Sequence, residues 1–177
     1  MLKIDINPSY QGIAIRPVAI PRDSNDLATI LKKVAFHPLW NLQTQSAITN
    51  DSYQVLLQMP VYSAYILSHL ETTLFMLEIL PMSHTEFNRL YKEEANDYFL
   101  QINLSIDDSR ADTAVTALRA ALDGIFANTD AQIYRVVFPL YYSEPGTLLN
   151  EILDKAGFFV LQEKTDPKSP IFYAFPK

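Results

Sequence analysis

Few side chains in this chain have chemistry to offer. Two carboxylates, Glu78 and Asp97, are candidate general bases. Glu78 can deprotonate an amine if desolvation raises its pKa; a strand-end surface glutamate, or a salt-bridged one, is the alternative. Asp97 can do the same or stand as a solvated carboxylate at a strand start. Tyr141 and its neighbour Tyr142 can donate a proton or simply pack as aromatics. His37 and Trp40 pair an imidazole with an indole wall that suits amine recognition; otherwise His37 ends a helix and Trp40 fills the core.

Other chemistries are excluded by what is missing from the sequence. There is no cysteine, which removes disulfide frameworks, cysteine–zinc sites, iron–sulfur clusters and thiol nucleophiles together. The three histidines, His37, His69 and His84, have no metal-ligand spacing, so no metal is expected. No Gly-x-Ser-x-Gly elbow, P-loop or dinucleotide fingerprint is present.

The 177 residues suffice for one core and are too few for two ordinary domains. Lys and Arg number 14 against 20 Asp and Glu, a net charge of −6. That balance argues against nucleic acid and anionic membrane as partners. No apolar run reaches membrane-spanning length and the start lacks a cationic leader, so a cytoplasmic location is expected. Apolar residues make up 49% and charged ones only 19%, below the roughly 25% of an average domain. So thinly charged a surface predicts a covered face, as in a homodimer.

The elements that must hold these residues follow from periodicity. Residues 2–6 alternate and read as a short strand, and 13–20 as a second, interrupted by Pro17. Asp23 and Asp26 resemble an N-cap and its capping-box partner before a helix with Leu27, Ile30, Leu31 and Val34 on one face. Residues 55–61 suggest a short helix stopped at Pro60. Residues 62–70 and 73–80 read as a hairpin turning at Glu71-Thr72. Residues 84–95 suggest another short helix. A strand at 98–106, a helix opened by a Ser109/Asp112 capping box, and a strand at 132–138 form a crossover unit whose strands should be adjacent, parallel and right-handed. Pro145 opens a last helix, Gly157 ends it as a left-handed cap, and strands at 158–162 and 170–175 follow. The fold class is α/β (α+β), with a mixed sheet of six to seven strands flanked by helices.

This order resembles the GCN5-related N-acetyltransferase (GNAT) fold along nearly the whole chain, as a single domain over 1–177. The second half is similar to the siderophore-biosynthesis acyltransferases. Phe75-Met76-Leu77-Glu78-Ile79 stands where that group has a strand with an acidic residue. Asp97-Tyr98-Phe99-Leu100-Gln101 stands at its Asp-x-Gly-x-His segment, and Gly157-Phe158 at its Gly-Phe. The resemblance implies direct transfer of an acyl group from acetyl-CoA, or another acyl-CoA, to an amine or hydroxylamine of a small molecule. It implies that pantetheine pairs beside Ile102 and Leu104, and that the pyrophosphate rests on the next helix start at Arg110, Thr113 and Ala114. It puts the acceptor pocket at His37 and Trp40, and offers Glu78, Asp97 and Tyr141 for proton transfer.

Several positions depart from the family pattern. Gln101 replaces its histidine, Phe99 its glycine, and Leu153 a tyrosine. Thr113 and Val115 fill the two glycine positions of the cofactor loop, where the backbone must approach phosphate closely. Asp107, Asp108 and Asp112 surround that loop with Arg110 alone to offset them, so acetyl-CoA should bind weakly. The alternative function is a catalytically degenerate member of the fold, acting as a small-molecule binding or assembly module.

Overall fold

Alternating apolar residues in the first half build an antiparallel meander. In the computed structural model, which describes residues 2–31, 50–85, 97–128, 133–140, 147–162 and 171–176, β1 (Ile13–Pro17) pairs with β2 (Ser63–His69), and β2 with β3 (Thr72–Pro81). The hairpin turns one residue earlier than its sequence suggests. His69 pairs with Thr72, and Leu70 takes a left-handed φ of 54°, as tight hairpin connections require.

The second half carries the crossover. β4 (Asp97–Leu104) pairs antiparallel with β3, α3 (Ala111–Ala127) crosses over, and β5 (Arg135–Leu140) returns parallel to β4. After α4 (Leu148–Ala156) come β6 (Phe159–Gln162) and β7 (Ile171–Pro176), with β7 inserted between β5 and β6. The seven-stranded sheet has the order β1-β2-β3-β4-β5-β7-β6. The expected α/β class and the adjacent parallel pair are both present.

Each face of the sheet carries its own core. Leu77, Leu100, Ile102 and Phe138 pack against α3 and α4. The face of α3 that meets them is rich in alanine, with Ala114, Ala117 and Ala121 fully buried, so the helix can sit close to the sheet. On the opposite face, Met76, Leu80, Phe99 and Val137 meet Leu27 and Ile30 of α1 (Ser24–Leu31) and Leu56 of α2 (Asn50–Leu57).

Several local expectations are corrected. Residues 2–6 do not join the sheet. They lie extended across α3, with the Leu2 N–H donating to Ser63 Oγ at 2.7 Å and Asn128 Nδ2 to the Lys3 carbonyl at 2.8 Å. A Cβ at Gly124 would stand 2.7 Å from the Asp5 carbonyl oxygen, so that close approach depends on glycine. Asp23 forms no capping box with Asp26. Its carboxylate turns back to the Ala19 N–H at 2.7 Å, and Arg16 at 2.7 Å and Arg22 pair with it.

No Ser109/Asp112 capping box opens α3: Asp107 caps a short 3-10 turn over Asp108–Arg110 just before it, accepting from Ser109 through both N–H and Oγ. The opening of α4 at Pro145 lies outside the described residues, where Thr147 caps the helix by accepting from the Asn150 N–H at 3.3 Å. Gly157 closes α4 with φ 99°, as expected. The expected helix at 84–95 lies mostly outside the described residues, which show a short 3-10 turn at Met82–His84.

Candidate functional site

Two parallel strands held at one end only create an opening. The described register of β4 with β5 runs over three pairs, Asp97 with Arg135, Tyr98 with Val136 and Phe99 with Val137. β4 then continues to Leu104 and β5 to Leu140 with no further pair between them, while β7 pairs with the other edge of β5 along its whole length. The closed end is clamped by an ion pair. Arg135 reaches Asp97 through two nitrogens, Nε at 3.1 Å and a terminal nitrogen at 2.6 Å, a bidentate geometry that fixes orientation as well as distance. Asp97 is therefore a buried clamp at the far end of the opening, about 16 Å along the strand from Ile102 at roughly 3.3 Å per residue.

The β4 backbone faces this opening. Ser105 N–H donates to the Leu74 carbonyl at 2.9 Å, so it points toward β3. Backbone groups alternate sides along an antiparallel pair, so those of Ile102 and Leu104 point toward the β5 side. No described β5 residue pairs with either. Their N–H and C=O groups are positioned to pair with an extended chain laid into the gap, as the sequence resemblance implies for pantetheine.

The start of α3 lies just beyond. Arg110 is exposed at its N-cap position, with no side-chain cap bond; Thr113 is half-buried and Ala114 fully buried. Two of the three loop aspartates are already engaged. Hydrogen bonds from Ser109 hold the exposed Asp107 carboxyl below the usual carboxylate range. Lys155 of α4 reaches Asp112 at 3.0 Å. This corrects the charge count from the sequence, in which Arg110 stood alone: Lys155 is a second cation at the same helix start. Hydrogen bonding to Glu151 and Asp112 raises the Lys155 pKa, so it stays charged.

Glu78 occupies the α1/α2 face, level with Gln101 of β4. It is fully buried. Tyr62 Oη donates to its Oε1 at 2.5 Å and Asn103 Nδ2 to its Oε2 at 2.7 Å. Gln101 Nε2 donates in turn to Asn103 Oδ1 at 3.2 Å. A chain of polar groups thus runs from Tyr62 through Glu78 and Asn103 to the partly exposed Gln101. Residue-type reasoning singled out Glu78 but neither Tyr62 nor Asn103. Asn103 lies two residues beyond Gln101 on the same strand face, and that spacing was the one local signal available.

The structure therefore brings Glu78, Ile102 and Leu104 to the open half of β4, with Arg110, Thr113 and Ala114 at its end, and sets Asp97 apart. His37, Trp40 and Tyr141 lie outside the described residues. Among the described residues no three His, Asp or Glu side chains could hold a metal, and no helix is long and apolar enough to cross a membrane.

No family model matches this sequence, and no curated protein matches it significantly. Solved structures do match. The aminoglycoside acetyltransferase AAC(6')-Ib in complex with coenzyme A superposes with a TM-score of 0.67 at 13% identity, over 93% of this chain and 95% of its own. A mutant of the spermidine N-acetyltransferase SpeG from Vibrio cholerae gives 0.62 at 11% identity, over 93% and 94%. RimJ from Mycobacterium smegmatis, in complex with CoA-disulfide, gives 0.59 at 15% identity, over 93% and 81%. Across more than nine-tenths of its length, the chain has the GNAT fold.

Proposed function

We propose that residues 1–177 form one acyltransferase domain that moves an acetyl or other acyl group from acyl-CoA to an amine or hydroxylamine of a small molecule, by direct transfer. The observation that carries this reading is the end of the β4–β5 register at Phe99 and Val137, which leaves the Ile102 and Leu104 backbone facing a gap. Similar structures in complex with coenzyme A support the choice of cofactor. The acceptors named for them, aminoglycosides and spermidine, support an amine.

In this reading the acyl-CoA lies in the gap with pantetheine along β4 and pyrophosphate at the α3 start, where helix-terminal N–H groups, Arg110 and Lys155 attract anions. A β4 N–H polarises the thioester carbonyl. The bound ammonium first gives up a proton to solvent; the free amine nitrogen then attacks that carbon, the C–N bond forms, the C–S bond breaks with the thiolate leaving as coenzyme A, and the acylated nitrogen passes its surplus proton to solvent. Extending the parallel register puts Leu140 level with Ile102. Tyr141, the next residue, is the proposed donor of a proton to the departing sulfur. Asp97 serves as the clamp, and Glu78 orients its neighbours. His37 and Trp40 are proposed for the acceptor wall, and the assembly is a cytoplasmic homodimer.

The test is transfer itself. Purified protein, acetyl-CoA and a panel of primary amines should release free thiol, and Tyr141→Phe should slow that release by about 100-fold or more, the usual range for proton-transfer catalysis. Absence of thiol release with every amine, despite bound acetyl-CoA, would favour the degenerate binding module instead.

A further inference from the structure

The polar chain on the α1/α2 face has a direction, and that direction dictates what it shows to the outside. We infer that Gln101 is a specificity-determining residue that presents its carbonyl oxygen to the N–H groups of a cationic amine. This rests on the transferase reading only in identifying that amine as the acceptor.

Glu78 accepts at both oxygens, the pattern of an ionised carboxyl, which has no proton to give. Asn103 must therefore turn its NH2 inward, which places its Oδ1 toward Gln101. Gln101 must answer with its own NH2. That is the one side-chain hydrogen bond of Gln101 among the described residues, and it leaves Oε1 for an incoming donor. Gln101 is also the partly exposed end of the chain, whereas Glu78, Tyr62 and Asn103 are all buried. It stands two residues past the last β4–β5 pair and next to Ile102, so its oxygen lies beside the proposed acyl position. The buried carboxylate two hydrogen bonds behind favours a cation over a neutral hydroxyl compound.

Replacing Glu78 with glutamine should reverse the chain. Tyr62 would still donate to the amide oxygen, and the new NH2 would force Asn103 to turn its oxygen inward. The Asn103 NH2 would then claim the Gln101 oxygen. The experiment is an NMR titration of the full chain, with glutamine side chains labelled, using n-butylammonium as probe and n-butanol as uncharged control.

In the wild type, n-butylammonium should move the Gln101 side-chain signals and n-butanol should not. Glu78→Gln should weaken the probe at least 10-fold. Adding Gln101→Glu to that variant should restore binding to within threefold of wild type, because a carboxylate accepts on both sides. Should Glu78→Gln fail to fold, Gln101→Leu at the partly exposed position should weaken the probe at least 10-fold while Gln101→Glu retains it. Unchanged binding in folded Glu78→Gln or in Gln101→Leu, or probe shifts that bypass Gln101, would overturn the assignment. Acetyl-CoA is absent from this titration, so failure here and failure of the transferase reading are separate results.

Discussion

Burial pushes the Asp23 carboxyl upward, but Arg22, the Ala19 N–H and Arg16 outweigh it and hold it below its ordinary value of 3.8. A carboxyl lowered in the folded state stabilises the fold above its unfolded pKa and loses that contribution as pH falls through the folded one. Asp23→Asn should therefore cost about 1–3 kcal/mol at neutral pH, the range for stranding hydrogen-bonded partners. The gap between wild type and variant in urea unfolding should close as the pH drops below about 4, near the unfolded carboxylate value. A pH-independent gap would contradict the assignment. At Gly124, a methyl group would meet the Asp5 backbone oxygen and Ile4 at 2.7 Å. Gly124→Ala should cost about 1–3 kcal/mol through overpacking, visible as a lowered thermal midpoint. An unchanged or raised midpoint would show that the segment at 2–6 yields easily.

Among the elements, the β4–β5 pair and the α3 start frame the proposed site. The Asp97–Arg135 clamp sits where the two strands begin, so losing it should loosen the closed end rather than the chemistry. Asp97→Ala leaves a largely buried guanidinium without that partner and should cost about 3–5 kcal/mol; a loss under 1 kcal/mol in urea unfolding would remove the clamp. At the α3 start, Lys155 pairs with Asp112, and the proposed pyrophosphate site has Thr113 and Val115 where the resembled family has glycines. The triple change Asp112→Asn, Thr113→Gly and Val115→Gly should tighten acetyl-CoA binding in calorimetry and lower stability by up to ~1 kcal/mol per glycine. Tight wild-type binding with no gain in the variant would show that neither charge nor crowding limits this loop.

These elements also show what the sequence could and could not reveal. Gly157 was readable as a cap because its cause is local, a left-handed residue after an amphipathic run. The parallel pair was readable because strand, helix and strand in succession leave one common handedness. The partners of Glu78 were not readable, since Tyr62 and Asn103 lie 16 and 25 positions away and meet it only through strand register. Lys155 was missed for the same reason, 43 positions from Asp112. Residues 2–6 misled because alternation fits an extended segment lying on a helix as well as it fits a strand.

For the whole molecule, the low surface charge points to self-association. The edge strand β6 shows Phe159 and Val160 at 44% and 47% exposure, and sedimentation should find a dimer at tens of micromolar, roughly where a micromolar dissociation constant, about −8.2 kcal/mol, populates it. A clean monomer at that concentration would count against it. The central claim is that an acyl-CoA occupies the gap between β4 and β5, and backbone amide NMR of the full chain during an acetyl-CoA titration tests it most directly. The account predicts the largest shifts at Ile102, Leu104, Arg110 and the first turn of α3, with β1 and β6 unmoved. Shifts confined to other surfaces, or none at millimolar acetyl-CoA, would contradict it.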